Sequence, residues 1–203
     1  EDNGLTYDIV YAFAHRVMNI EISRANLDVM YLATYESWWG DKKIWRTADA
    51  GQSWNEITPP SALLNGELWV PFDLAVSASN ENELWVARTS QYGNTNLNGR
   101  MVFKSTDGGN TWSNYTSPTL DGEVITNIEH QKGTDGGVYI GTRRSVYYRN
   151  NSMNEWALFN INLPLSSTST KLVIKYKDRL LRNATNRSVY EVELYENSQP
   201  IAQ

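Results

Sequence analysis

The sequence predicts an all-β fold, and three observations carry that prediction. Short runs of alternating apolar and polar residues, rich in β-branched and aromatic side chains, recur along the chain, which is the pattern of half-buried strands. A motif of the form Ser/Thr-x-Asp-x-Gly-x-Ser/Thr-Trp occurs twice, from Thr47 to Trp54 and from Ser105 to Trp112. The same succession of strand-like runs precedes each copy, so motif and runs together form one repeated unit. Four-stranded units repeating in this way are the pattern of β-propeller blades, small antiparallel meanders packed face to face. The expectation is a propeller of about four antiparallel four-stranded blades, closed alone or forming part of a larger ring.

The units follow in order. The first has runs at Met18 to Ile22, Val29 to Ala33 and Lys43 to Arg46, and then the motif. The second has Phe72 to Val76, Glu83 to Ala87 and Met101 to Lys104, and then the motif again. A third repeats the order with Val124 to Ile128, Gly137 to Gly141 and Ser145 to Tyr148, but keeps only a polar turn and Trp156 of the motif. The fourth has Lys171 to Tyr176, Arg179 to Leu181 and Val189 to Leu194, with no evident fourth strand. The approximate blades are 17–59, 71–118, 124–164 and 171–195, and 196–203 is expected to be a linker tail. No segment carries a helix pattern.

Composition bounds the function. The 203 residues are 40% hydrophobic and 20% charged, with eight Trp and twelve Tyr spread throughout, a composition that folds. A net charge of −5 without basic runs argues against nucleic acid as a partner. No apolar run approaches the roughly 18 residues that span a bilayer, so no membrane insertion is expected. The absence of Cys removes disulfides and thiolate chemistry without fixing a compartment. The start at Glu1 without a signal pattern is read as a mature or excised chain. The sequons at Asn114, Asn150, Asn183 and Asn186 are no more than an Asn-, Ser- and Thr-rich sequence produces by chance, and they carry no claim.

In the repeated motif, Asp49 and Asp107 are expected to accept backbone N–H bonds in a tight turn, Gly51 and Gly109 to take a positive φ, and Trp54 and Trp112 to anchor the turn by packing. These roles are structural. The two motifs, in register and preceded by matching strands, make the chain resemble the Asp-box (BNR) repeat propeller superfamily, which includes sialidases, xyloglucan-cleaving glycoside hydrolases and sortilin-type receptors. Gly137 to Arg149 and Leu181 to Tyr190 resemble inner strands and a closing blade of sortilin-like propellers of exported bacterial proteins. That resemblance implies a secreted or cell-surface location and further domains in the parent protein.

No catalytic residue is assigned. A sialidase would need an arginine cluster, and although Arg16, Arg88, Arg143 and Arg144 are present, the Arg-Ile-Pro or Arg-Leu-Pro signature is not. A glycoside hydrolase needs two carboxylates roughly 5 to 10 Å apart, for which Glu21 and Asp73, on innermost-strand segments, are the nearest candidates. His15 and His130 have no companions at ligand spacing, so neither a metal site nor a Ser-His-Asp triad is expected. No phosphate loop appears, Asp135-Gly136-Gly137 being a turn between strands. No cofactor is implied.

Meander topology puts the Asp motifs on one face and the second-to-third-strand loops on the other. Those loops are long, and long loops on a rigid scaffold are binding elements. The candidate ligand contacts are therefore Tyr35, Trp38, Trp39 and Asp41 in one loop and Tyr92, Asn94 and Asn96 in the next, with the tandem indoles suited to stacking on a sugar or anchoring a protein. The leading reading is a noncatalytic extracellular propeller that binds glycan or protein through its loop-rich face. The alternatives are a fragment of a secreted glycoside hydrolase and a structural spacer or assembly domain. Self-association or additional blades in the parent protein would pair exposed edge strands.

Overall fold

The computed structural model describes residues 8–37, 40–89, 97, 99–160, 163 and 167–196. It contains four antiparallel sheets, each a meander of neighbouring strands. Blade I comprises β1 (Arg16–Ile22), β2 (Met30–Tyr35), β3 (Lys42–Thr47) and β4 (Asn55–Glu56), and blade II comprises β5 (Phe72–Val76), β6 (Leu84–Arg88), β7 (Val102–Ser105) and β8 (Ser113–Asn114). Blade III comprises β9 (Ile125–His130), β10 (Val138–Thr142), β11 (Val146–Arg149) and β12 (Ala157–Leu158), and blade IV comprises β13 (Ser169–Lys175), β14 (Leu180–Thr185) and β15 (Val189–Glu193). Blade IV has three strands, because nothing after β15 among the described residues returns to its edge. A single 3₁₀ turn, Pro118–Leu120, is the only helical element among them.

The innermost strands lie side by side in sequence order, β1 against β5, β5 against β9 and β9 against β13. Alternation then sends one face of each sheet forward to the next blade and the other back to the previous one. Three apolar clusters fill the three junctions. Tyr31, Ala33 and Ile44 of blade I meet Phe72, Leu74 and Val86 of blade II. Trp85, Ala87 and Val102 meet Ile125, Ile128 and Trp156 at the next junction, and Tyr139 and Tyr148 meet Leu172, Ile174 and Leu181 at the third.

Strand registers align the blades residue by residue. Asn19, Asp73, Asn127 and Lys171 pair with the small residues Ala33, Ala87, Gly141 and Ala184, and two positions on, Glu21, Ala75, Glu129 and Val173 pair with Tyr31, Trp85, Tyr139 and Arg182. A register shift precedes the first of these positions in β1 and β13, and faces it in the β9–β10 pair.

Of the segment expected to be a linker, 196–203, only Glu196 lies among the described residues. The Glu196 carbonyl accepts a bond from Gln131 Nε2 at 2.7 Å, and its carboxylate accepts bonds from the Tyr148 hydroxyl and from Asn150 Nδ2. The Tyr195 ring stacks on Tyr148 at 4.3 Å. Residues 195 and 196 are therefore docked on blade III, held by buried tyrosines that sequence alone does not place beside them.

Candidate functional site

The two Asp turns are closed networks. Asp49 accepts bonds from Thr47 Oγ1 at 2.7 Å and from the Ser53 backbone and hydroxyl at 2.9 and 2.5 Å. Asp107 repeats this with Ser105 Oγ at 2.8 Å and the Thr111 backbone and hydroxyl at 2.8 and 2.6 Å. Hydrogen bonds from Ser53 and Thr111, ahead of all other causes, hold both carboxyls down at about 2. Gly109 sits at φ 94°, and a Cβ there would lie 2.6 Å from Ile57, so both conformation and space require glycine. The Trp112 indole donates to the Ile57 carbonyl of the preceding blade at 3.1 Å, and Trp156 donates likewise to the Tyr115 carbonyl at 2.8 Å. The Asp107 turn thus carries a Trp that fastens blade II to blade I, whereas the Trp of the Asp49 turn bonds within its own turn.

The innermost strands bring a second set of charged groups together at the axis. Asp73 is the centre of the first layer: its carboxylate accepts Asn19 Nδ2 from blade I and, at 2.9 Å, the Ile128 backbone N–H from blade III. Burial raises its pKa, opposed first by the Ile128 bond and then by Lys171. In the same layer Asn127 donates to Ser169 of blade IV at 3.0 Å. In the second layer stand Glu21 and Glu129, with the small Ala75 between them in blade order. Burial pushes both carboxyls up to about 7, with Asp73 adding to the rise on Glu21, and Lys171 and Arg24 acting against it on both. Four blades therefore contribute one electrostatically coupled group of three carboxylates and a lysine.

Beside the second layer opens a polar recess of about 190 Å³, with Glu21, Arg24, Glu129, His130, Lys132 and Tyr176 in its wall. Lys132 Nζ lies 4.3 Å from the Tyr176 ring centroid, and the Lys132 backbone N–H donates to the Tyr176 hydroxyl at 3.0 Å. Burial lowers the His130 pKa to about 4, so the ring is neutral near pH 7 and neither nitrogen has a hydrogen-bond partner. No group of three or more His, Cys, Asp or Glu is placed to hold a metal among the described residues.

The recess lies at the C-terminal ends of the innermost strands, which is the face of the Asp turns. The ligand contacts expected from the sequence belong to the opposite face. Of these, Trp38, Trp39, Tyr92, Asn94 and Asn96 lie outside the described residues. Tyr35 ends β2 and receives Arg16 at 5.9 Å and Lys42 at 5.7 Å against its ring, and Asp41 is exposed, its carbonyl accepting the Glu36 N–H. Of the two carboxylates named from sequence, Glu21 and Asp73, both reach the axis. Glu129, Lys171, Arg24 and Tyr176 were missed, although aligning Asn19-Ile20-Glu21-Ile22 with Asn127-Ile128-Glu129-His130 exposes the first of them. Of the arginines named from sequence, Arg88 is buried, donating to the carbonyls of Glu67 and Arg100 at 2.7 and 3.0 Å, while Arg144 donates to Gly122.

No protein-family model matches the sequence, and no curated protein matches it. Solved structures do share its fold. A GH74 enzyme of Niastella koreensis superposes with a TM-score of 0.62 at 18% identity, over 87% of this chain and 28% of that one. The chain has a β-propeller fold. The GH74 xyloglucanase from Xanthomonas campestris gives 0.62 at 14% identity over 88% of this propeller chain and 28% of its own length, and YCF48 bound to D1 peptide gives 0.63 at 15% identity over 96% and 58%. The propeller chain thus spans between about a quarter and three fifths of the length of these three proteins. At such identities the likeness is one of fold.

Proposed function

We propose that this chain is part of a noncatalytic binding propeller of the Asp-box kind, secreted or displayed at the cell surface, that holds a polar glycan or protein ligand at the axial recess. The observation that carries the proposal is the recess itself, where side chains of both signs and an aromatic ring converge from the inner strands of blades I, III and IV and the turns after them. Asp73 is spent on bonds to Asn19 and Ile128. Glu21 and Glu129 stand in like environments with like pKa values, whereas acid and base partners are set apart by theirs. The two closed Asp turns support the Asp-box assignment, and export follows from that resemblance. YCF48 bound to D1 peptide, on the same fold, supports a protein ligand.

A second reading, a fragment of a glycoside hydrolase, is favoured by the placement of Glu21 and Glu129 in one layer and by the GH74 folds. The purified chain, applied to glycan and peptide arrays, separates these readings. Binding that is lost in Arg24→Ala and Lys132→Ala, with no polysaccharide turnover, is the expected result. Turnover abolished by Glu21→Gln or Glu129→Gln would overturn the noncatalytic reading, and absence of any binding would leave a spacer or assembly role.

A further inference from the structure

Each blade presents a rear face to the blade before it, and the register equates the residues that do so: Ile20 and Ile22 in β1, Leu74 and Val76 in β5, Ile128 in β9, Leu172 and Ile174 in β13. In blades II to IV these are covered, at 1%, 8%, 2%, 0% and 7% exposure. In blade I, Ile20 is 51% and Ile22 49% exposed, with Met18 at 38% beside them. Apolar side chains of the same kind at the same register position are thus cores in three blades and surface in one.

What covers them elsewhere is consistent. The forward face of the preceding blade brings an aromatic residue, Tyr31, Trp85 or Tyr139, into the junction. At two junctions a carbonyl just past that blade's outer strand, of Ile57 or Tyr115, takes the indole N–H of the following Trp. Trp54 holds the equivalent position in blade I but donates to Gly51 of its own turn, at 3.1 Å. Phe13 and Tyr11 pack on Trp54 with centroids 5.3 and 6.4 Å away, and Phe13 on Trp45 at 5.7 Å. The segment before β1 therefore covers the outer part of the rear face and leaves the inner row open.

Blade IV does not supply the missing cover. Where the other blades carry their central aromatic it carries Arg182, paired with Glu191 at 2.5 Å, both side chains solvated. Pressing that pair onto Ile20 and Ile22 would desolvate two charges against hydrocarbon, which counts against ring closure by blade IV and against a head-to-tail second copy. Val173 and Val189 stand on the same face, 49% and 63% exposed, so it is the Arg182–Glu191 pair that sets this face apart from the other forward faces.

We infer that the rear face of blade I is the seat of a further propeller blade, one that presents an aromatic side chain to Ile20 and Ile22 and a backbone carbonyl to the Trp54 indole. The warrant is continuity with three internal junctions built the same way. Ile22 also lines the recess, but the inference does not depend on which ligand the recess takes.

The test compares the chain with a version extended before Arg16 by a copy of residues 71–118, whose forward face carries Trp85 and whose outer strand offers the Tyr115 carbonyl. The chain alone is expected to sediment as a monomer and to bind anilinonaphthalene sulfonate. Ile20→Glu with Ile22→Glu cuts the dye signal several-fold and leaves the unfolding midpoint in place, whereas in the extended chain the same pair lowers the midpoint and exposes β1 amides to hydrogen exchange. Val173→Glu, on the forward face of blade IV, changes neither. A chain that dimerises until the double substitution dissociates it would make a second copy the occupant and overturn the inference. Equal effects of the substitution in both versions would overturn it too.

Discussion

Glu129 is a half-buried carboxylate that stability itself can report. Its pKa rises from 4.5 to about 7, chiefly through burial, with Glu21 and Asp73 adding to the rise and Lys171 and Arg24 opposing it. A carboxyl raised in the folded state has this sign: below about pH 4.5 both states are protonated and nothing is lost, then the unfolded chain ionises first and stability falls as pH climbs towards 7, staying low above that. At about 1.4 kcal/mol for each pKa unit, trimmed for the side chain's partial contact with solvent, the penalty at neutral pH is roughly 2 to 3 kcal/mol. Glu129→Gln removes the charge and keeps the shape, so at about pH 8 it should raise the unfolding midpoint by roughly 5 to 10 °C for a chain of this size. Near pH 4 variant and parent should coincide. Circular dichroism melts across that range are the assay. A gain of equal size at both pH extremes would refute the electrostatic origin. A loss at pH 8 would show that Glu129 is ionised and paired with Lys171.

Four further substitutions test the framework around the axis. Gly109→Ala forces a Cβ onto Ile57 from a backbone at φ 94° and should cost about 1 to 3 kcal/mol, read as a lower urea midpoint. Trp156→Phe leaves the Tyr115 carbonyl without its indole and should cost about 1 to 3 kcal/mol, whereas Trp54→Phe, whose bond stays within its own turn, should cost less; chemical denaturation orders the two. Arg88→Met strips a buried guanidinium from the carbonyls of Leu64, Glu67 and Arg100 and from the Glu67 carboxylate, and should cost about 3 to 5 kcal/mol while leaving any glycan or peptide binding per folded molecule unchanged, as array titration would show.

The strands were legible because alternation is local: the runs at Phe72 to Val76 and Val189 to Leu194 fall within a residue of β5 and β15. The fourth strands were not, since β4, β8 and β12 have two residues each, too few to alternate, and they are held by ladder bonds to a neighbour. The axial group was half legible. Glu21 and Asp73 lie inside runs read as innermost strands, whereas the first run of the third unit, Val124 to Ile128, stops one residue short of Glu129, which pairs with Tyr139. Burial was the least legible property. Ile20 and Leu74 have the same neighbours in sequence pattern, and only the presence or absence of a preceding blade decides which one is core.

That dependence ties the two inferences together through Glu21. A further blade seated on Ile20 and Ile22 sets another innermost strand beside β1, and the residue in its second layer becomes a direct neighbour of the Glu21 carboxylate. If that residue is small, as Ala75 is on the other side, Glu21 loses solvent and its pKa climbs further. If it is Lys or Arg, the pair becomes a charged clamp ionised at neutral pH and selective for a different ligand. Affinities measured on the chain with and without an added blade therefore report on the same carboxylate in two environments, and a pH profile that moves between them would place Glu21 in the ligand's contact shell.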